Sequence, residues 1–143
     1  MNYTEVEEYF QTENLDGLLK ACQTMFDLID SNTQLLISNR VDSPISCQKM
    51  LEELCGVYGF LRPVHAVAST VKKDMEEREY HNLKINTEGK FVSTVAEKEA
   101  SRLTQEYRRV RNIVEAYVNI CEKLIGVGQS LLKSLQEEKN ASS

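Results

Sequence analysis

Residues 103–135 read LTQEYRRVRNIVEAYVNICEKLIGVGQSLLKSL, and within them Leu103, Tyr107, Val110, Val114, Tyr117, Cys121, Leu124, Gly128, Leu131 and Leu135 recur at alternating steps of four and three. That spacing lays all of these positions on one stripe of a single long helix, and so regular a stripe faces other helices. The positions beside it are apolar too. Ile113, Ile120 and Val127 lie on one flank, and Val118, Ile125 and Leu132 on the other. A two-stranded coiled coil carries charges there, so a face this wide needs at least two neighbours, in a bundle or a ring. The remaining face (Arg108, Arg109, Asn112, Glu115, Asn119, Glu122, Lys123, Gln129, Lys133) is polar and is expected to stay solvated. Gly126 and Gly128 each cost up to about 1 kcal/mol of helix propensity, although Gly128, on the stripe, also permits close helix approach.

Two uses of this face follow. In the first it joins copies of the chain, with Val110, Ile113, Val114, Tyr117, Ile120, Cys121, Leu124, Ile125, Leu131 and Leu135 as the oligomer interface. In the second it is the core of a single-chain bundle. The expected fold class is the same in both: all-α, a helical hairpin or bundle ending in a long amphipathic helix.

Working outward, Thr4 and Glu7 have capping-box spacing and open a short helix carrying Val6, Tyr9 and Phe10. Asn14 caps a second helix, with Leu15, Leu18, Leu19, Cys22, Met25, Phe26 and Ile29 at helical spacing. Asn39-Arg40-Val41-Asp42 breaks it, and Ser43-Pro44 supplies a cap and a first-turn proline for a third. The third stripe runs Cys47, Leu51, Leu54, Tyr58, Leu61, and Gly56, Gly59 and Pro63 predict a kink or short break. Val64, Ala68, Val71 and Met75 continue the period to about Leu83. Asn86-Thr87-Glu88-Gly89-Lys90 reads as a reversal, and Thr94 with Glu97 as the capping box of the last helix. The result is an antiparallel hairpin, about residues 64–83 against 95–138. By organisation the chain divides into an acidic helical region 1–61, the hairpin 62–139 with a basic tip, and a frayed tail 140–143.

Composition agrees with helix. The 143 residues contain two Pro, six Gly and no Trp, and turn clusters are few. No apolar run approaches the roughly 18 residues that span a bilayer, and the start MNYTEVEEYF lacks a signal pattern, so a soluble, cytoplasmic protein is expected. Cys22, Cys47, Cys55 and Cys121 fall on apolar stripes without CxxC spacing and read as buried reduced thiols. With only His65 and His81, no metal site is expected. No phosphate loop, nucleophile turn or set of nucleophile, base and orienter is present, so no enzyme activity and no cofactor are expected.

Charge is unevenly distributed. Residues 1–61 hold ten Asp/Glu against three Lys/Arg, whereas residues 62–111 hold eleven Lys/Arg against eight Asp/Glu. Lys84, Lys90, Lys98, Arg102, Arg108, Arg109 and Arg111 form the basic set, with Tyr80 and Phe91 near the hairpin tip. Cations interleaved with aromatic rings suit single-stranded nucleic acid, the cations meeting phosphates and the rings stacking on bases. The same charges also suit a solvated helix face.

The stretch from Tyr80 to Asn140, with KFVSTVAEKEASRLTQEYRRVRNIVEAYVNICEKLIGVGQSLLKSLQEEKN at its core, resembles the C-terminal half of small helical phage proteins of the UvsY-like recombination mediator family. The shared layout is a basic segment and turn, an Ala-Glu-rich helix start, the run Tyr107-Arg108-Arg109 with Arg111, and the ending Leu131-Leu132-Lys133-Ser134-Leu135. The resemblance implies an oligomeric ring that binds single-stranded DNA, contacts the single-strand-binding protein and helps load the recombinase, without nucleotide hydrolysis, in a phage-infected bacterium. The chain departs from that pattern in its acidic first half and negative overall charge. The rival expectation is a helical protein-interaction module, such as a phage-encoded inhibitor of a host factor, whose acidic half meets a basic host protein.

Overall fold

The computed structural model describes residues 1–86, 95, 98 and 104–142. Among them are four helices and no strand: α1 (Tyr3–Gln11), α2 (Leu15–Ile37), α3 (Pro44–Asn86) and α4 (Gln105–Ser142). The expected reversal at residues 87–90 and the capping box at Thr94 and Glu97 lie outside the described residues.

Local chemistry explains most boundaries. The first cap is Asn2, not Thr4: its side chain accepts from the Glu5 N–H at 2.9 Å and its Nδ2 donates to Glu5 Oε1 at 3.1 Å. Asn2 is thus the N-cap and satisfies an orphan donor of the first turn, while Glu5 accepts from the Asn2 side-chain amide and not from the backbone N–H of a capping box. Asn14 caps α2 through the Gly17 N–H at 3.0 Å. Asn39, at φ 56°, turns the chain out of α2, and the Arg40 N–H closes back on the Leu35 carbonyl at 2.9 Å. Ser43 accepts from the Ser46 N–H at 3.1 Å, with Pro44 in the first turn, where its missing N–H costs nothing. At the other end, α4 runs through the expected frayed tail as far as Ser142.

Of the kink or short break expected at Gly56, Gly59 and Pro63, the break does not occur: α3 is one helix of 43 residues with Pro63 inside it. The reason lies in the spacing. A helical proline crowds the carbonyl four residues earlier, here that of Gly59, which has no side chain and faces solvent, so water can satisfy the freed oxygen. On the opposite side Val57, Leu61 and Val64 are buried and anchor the helix before and after the proline. The charge boundary near residue 61 therefore falls within a continuous helix.

α3 and α4 pack antiparallel along their lengths. Cys47 Sγ donates to the Gly128 carbonyl at 3.1 Å, Cys121 Sγ to the Leu54 carbonyl at 3.4 Å, Tyr58 Oη to Glu122 at 3.0 Å and Arg108 to Glu76 at 2.9 Å. As numbers rise on one helix they fall on the other. Gly128 makes the approach close: a Cβ there would stand 2.7 Å from Leu51 Cδ2 and 2.9 Å from Met50 Cε.

α2 lies against this pair. Phe26 stacks on Tyr117 of α4 with centroids 4.2 Å apart, and Tyr117 Oη donates to Asp30 at 3.2 Å. The core comprises Leu18, Cys22, Ile29, Leu54, Leu61, Val64, Val110 and Val114, all fully buried. Each large aliphatic side chain there contributes about 1.5–3 kcal/mol of burial. Two polar residues, Asn32 and Thr104, are buried as well. Asn32, 1% exposed, donates to the Leu28 carbonyl at 2.7 Å and to Glu53 of α3 at 2.9 Å, so its amide hydrogens are satisfied. Cys22, Cys47 and Cys121 are buried free thiols, and burial pushes Cys22 and Cys121 up to about 11. Cys55, by contrast, is exposed, because it sits one residue and about 100° beyond the buried Leu54.

α1 closes one end of the bundle. Val6 and Phe10 are buried, and Phe10 stacks on Tyr107 at 6.3 Å.

Candidate nucleic-acid interface

The basic set divides once its surroundings are known. Lys84, in the last turn of α3, and Lys98 are exposed. Lys90, Arg102 and Phe91 lie outside the described residues. Arg108, Arg109 and Arg111 occupy the first two turns of α4, and each meets a carboxylate.

Arg108 reaches across to α3 and donates to Glu76 at 2.9 Å, while Lys72 approaches the same carboxylate at 3.4 Å. Burial raises the Glu76 carboxyl, but the Arg108 hydrogen bond and Lys72 outweigh it, leaving the group below its ordinary range. Arg111 donates to Glu115 at 2.9 Å and to Asn112 at 2.8 Å. Glu115 lies 3.5 Å from His65 Nε2, and Arg62 Nη1 stands 2.9 Å from His65 Nδ1. Since a guanidinium only donates, His65 Nδ1 is the acceptor, and the buried Nε2 stands near Glu115 without a hydrogen bond. Arg62, His65, Glu115 and Arg111 therefore form one chain of contacts between α3 and α4. Arg111 is a clamp of the hairpin more than a free cation.

Arg109 differs. Its Nε donates to Glu106 at 3.2 Å, and both side chains are half exposed or more. A pair in that setting is worth about 0–1 kcal/mol, and one contact leaves most of the five guanidinium hydrogens available. Phosphate can exchange for such a carboxylate. The Glu106 and Glu115 pairings were readable as i,i+3 and i,i+4 spacings. The Glu76 pairing was not, because it depends on the register of two helices.

The expected oligomer interface is largely inside the chain. Val110, Val114, Cys121 and Leu124 are buried, Tyr117 stacks on Phe26, and Ile113, Ile125, Leu131 and Leu135 pack partly against the same core. The uncovered part is a flank: Ile120 is 40% exposed and Val127 54%. Beside Val127 a shallow groove is lined by Lys123, Gly126, Ser130, Leu131 and Ser134.

Among the described residues no group of three His, Cys, Asp or Glu side chains is placed to hold a metal ion, and no helix is long and apolar enough to cross a membrane. No protein-family model, curated protein or solved structure matches the chain.

Proposed function

We propose that this protein is a non-enzymatic accessory protein of single-stranded DNA, a recombination mediator, that meets the strand at the far end of the α3–α4 hairpin and works as a helical oligomer. The supporting observation is the antiparallel register. It sets Lys72 and Arg78 of α3 beside the N-terminal turns of α4, with Arg108 and Arg109, and α3 carries Lys84 on beyond the start of α4. The phosphate contacts are Lys98 and Arg109, with Lys84 at the edge, and Arg111 serves the fold.

Anisotropy of a fluorescent single-stranded oligonucleotide across a salt series tests this. Binding is expected to fall steeply with salt, and each of Lys98→Ala and Arg109→Ala to flatten the log–log slope by about 0.7, the value per contact on a single strand. Arg111→Ala should instead lower thermal stability. Binding that ignores salt, or is absent at low salt, would sink the reading.

Assembly is proposed through the flank left uncovered. Ile120→Glu combined with Val127→Glu is expected to reduce native mass to one chain while changing stability by no more than about 0.5 kcal/mol, as for surface substitutions. A wild-type mass equal to one chain would remove the oligomer from the proposal.

A second reading, the protein-interaction module, is favoured by the carboxylates that already engage Arg108, Arg109 and Arg111. It is favoured also by the ten acidic residues of 1–61. A stable complex with a basic protein and no affinity for DNA is the outcome that selects it.

A further inference from the structure

Between α1 and α3, at the end of the bundle where Tyr107 of α4 emerges, lies a cavity of about 710 Å³. That volume falls within the roughly 300–1,000 Å³ of ligand pockets. Its floor is apolar, made by Phe10, Val67, Val71, Met75 and Tyr107, and its rim carries Glu7, Glu13, Asp74 and Glu79 against one cation, Arg78. Four carboxylates against one guanidinium leave the rim at −3. An apolar floor under a negative rim selects an occupant that is apolar at its centre and cationic at its edges.

The rim is built into the backbone at one point. After α1 the Glu13 N–H bonds to the Phe10 carbonyl at 3.1 Å and the Asn14 N–H to the Tyr9 carbonyl at 2.9 Å. This is a helix-ending turn in which Glu13 takes φ 54°, the left-handed conformation that glycine adopts most readily. A carboxylate therefore stands where the backbone alone favours glycine. Its charge reaches the floor: Tyr107 is raised above the ordinary tyrosine range by burial and then by Glu13, with Arg78 opposing.

We infer that this groove is a docking site for a basic, amphipathic segment of a protein partner, which places an apolar side chain between α1 and α3 and Lys or Arg side chains along the rim. The inference rests on the second reading above and gives its acidic surface a definite place.

The test uses the full chain and a fluorescein-labelled peptide of 18 residues, only Leu and Lys, ordered as an amphipathic helix, beside a scrambled peptide of the same composition. The ordered peptide is expected to bind at least tenfold more tightly than the scrambled one at physiological salt. It should shift the methyl resonances of Val71 and Met75 and leave that of Val127 in place. Glu13→Gly with Asp74→Asn should weaken binding about tenfold while Glu13→Gly alone raises the urea midpoint, so loss of folding cannot explain the loss of affinity. Removing two charges elsewhere, Asp42→Asn with Glu52→Gln, should change binding less than twofold. If both charge pairs weaken binding equally, the groove is overturned and the acidic-surface reading stands. If neither peptide binds, both fall.

Discussion

Asn32→Asp is expected to destabilise the protein by about 3–5 kcal/mol at neutral pH, the cost of leaving a buried charge uncompensated. The native amide is 1% exposed and gives its hydrogens to the Leu28 carbonyl and to Glu53. A carboxylate of the same shape has no hydrogen to give, and it faces a second carboxylate at hydrogen-bond distance. Burial and like charge both raise its pKa in the folded state above the unfolded value. The penalty is therefore full at pH values above the folded pKa and shrinks as pH falls towards the unfolded one, because the protonated acid can donate to Glu53. Urea unfolding of variant and parent at pH 7 and pH 5 measures this, with the gap expected to narrow at pH 5. Asn32→Leu, which removes the donors and adds no charge, should cost much less, because Glu53 is exposed and can turn to water. A gap for Asn32→Asp that is small, or constant between the two pH values, would mean that the α2–α3 contact opens to solvent.

The second large effect is expected at Gly128. Replacement by Leu should cost about 3 kcal/mol, the upper end of what overpacking a close-packed interior produces. The new side chain would start 2.7 Å from Leu51 Cδ2 and 2.9 Å from Met50 Cε, and the Gly128 carbonyl also receives the Cys47 thiol. Gly126 provides the matched control. It lies two residues and about 200° round the helix, on the opposite side; a Cβ there meets nothing within 4 Å, and Gly126→Leu should stabilise by up to about 1 kcal/mol through helix propensity alone. Chemical denaturation of the two variants isolates packing from propensity. Equal effects at the two positions would show that α3 and α4 do not approach closely at Gly128.

The helices were legible because their signals are local. Asn14, Ser43-Pro44 and the four-three ladder of α4 each act within a turn or two of their own position; α2 and α3 begin where those residues placed them, whereas α4 begins at Gln105 and not at about 95. That α3 continues through Pro63 without a break was not legible, for the opposite reason. Pro63 is a breaker by itself, and the tolerance it finds depends on Gly59 facing water while Val57, Leu61 and Val64 are held by other helices. The stripe of α4 was read correctly as a contact face, but periodicity does not say whose helix lies opposite. Val110, Val114 and Cys121 are buried in this chain's own core. For the basic set, the partners of Arg109 and Arg111 stand at helical spacing on the same helix, a signal the sequence reading left unused. Glu76, which meets Arg108, is 32 positions away, and only the tertiary register joins them. The cavity under α1 was invisible for the same reason, since Glu13, Asp74 and Tyr107 come from three separate parts of the chain.

The antiparallel register of α3 and α4 also ranks the contacts of the hairpin by the length of chain each must close. Arg108 with Glu76 closes 32 positions and Cys47 with Gly128 closes 81. Made independently, the second contact would cost about 0.8 kcal/mol more in loop entropy than the first, by the logarithmic law of loop closure. Made after it, the second closes only the short lengths of helix between successive rungs. The pair is thus a zipper that shortens its own remaining loops, and the span of 87 positions between Asp30 and Tyr117 falls to about 33 through the Tyr58–Glu122 contact once the zipper is shut.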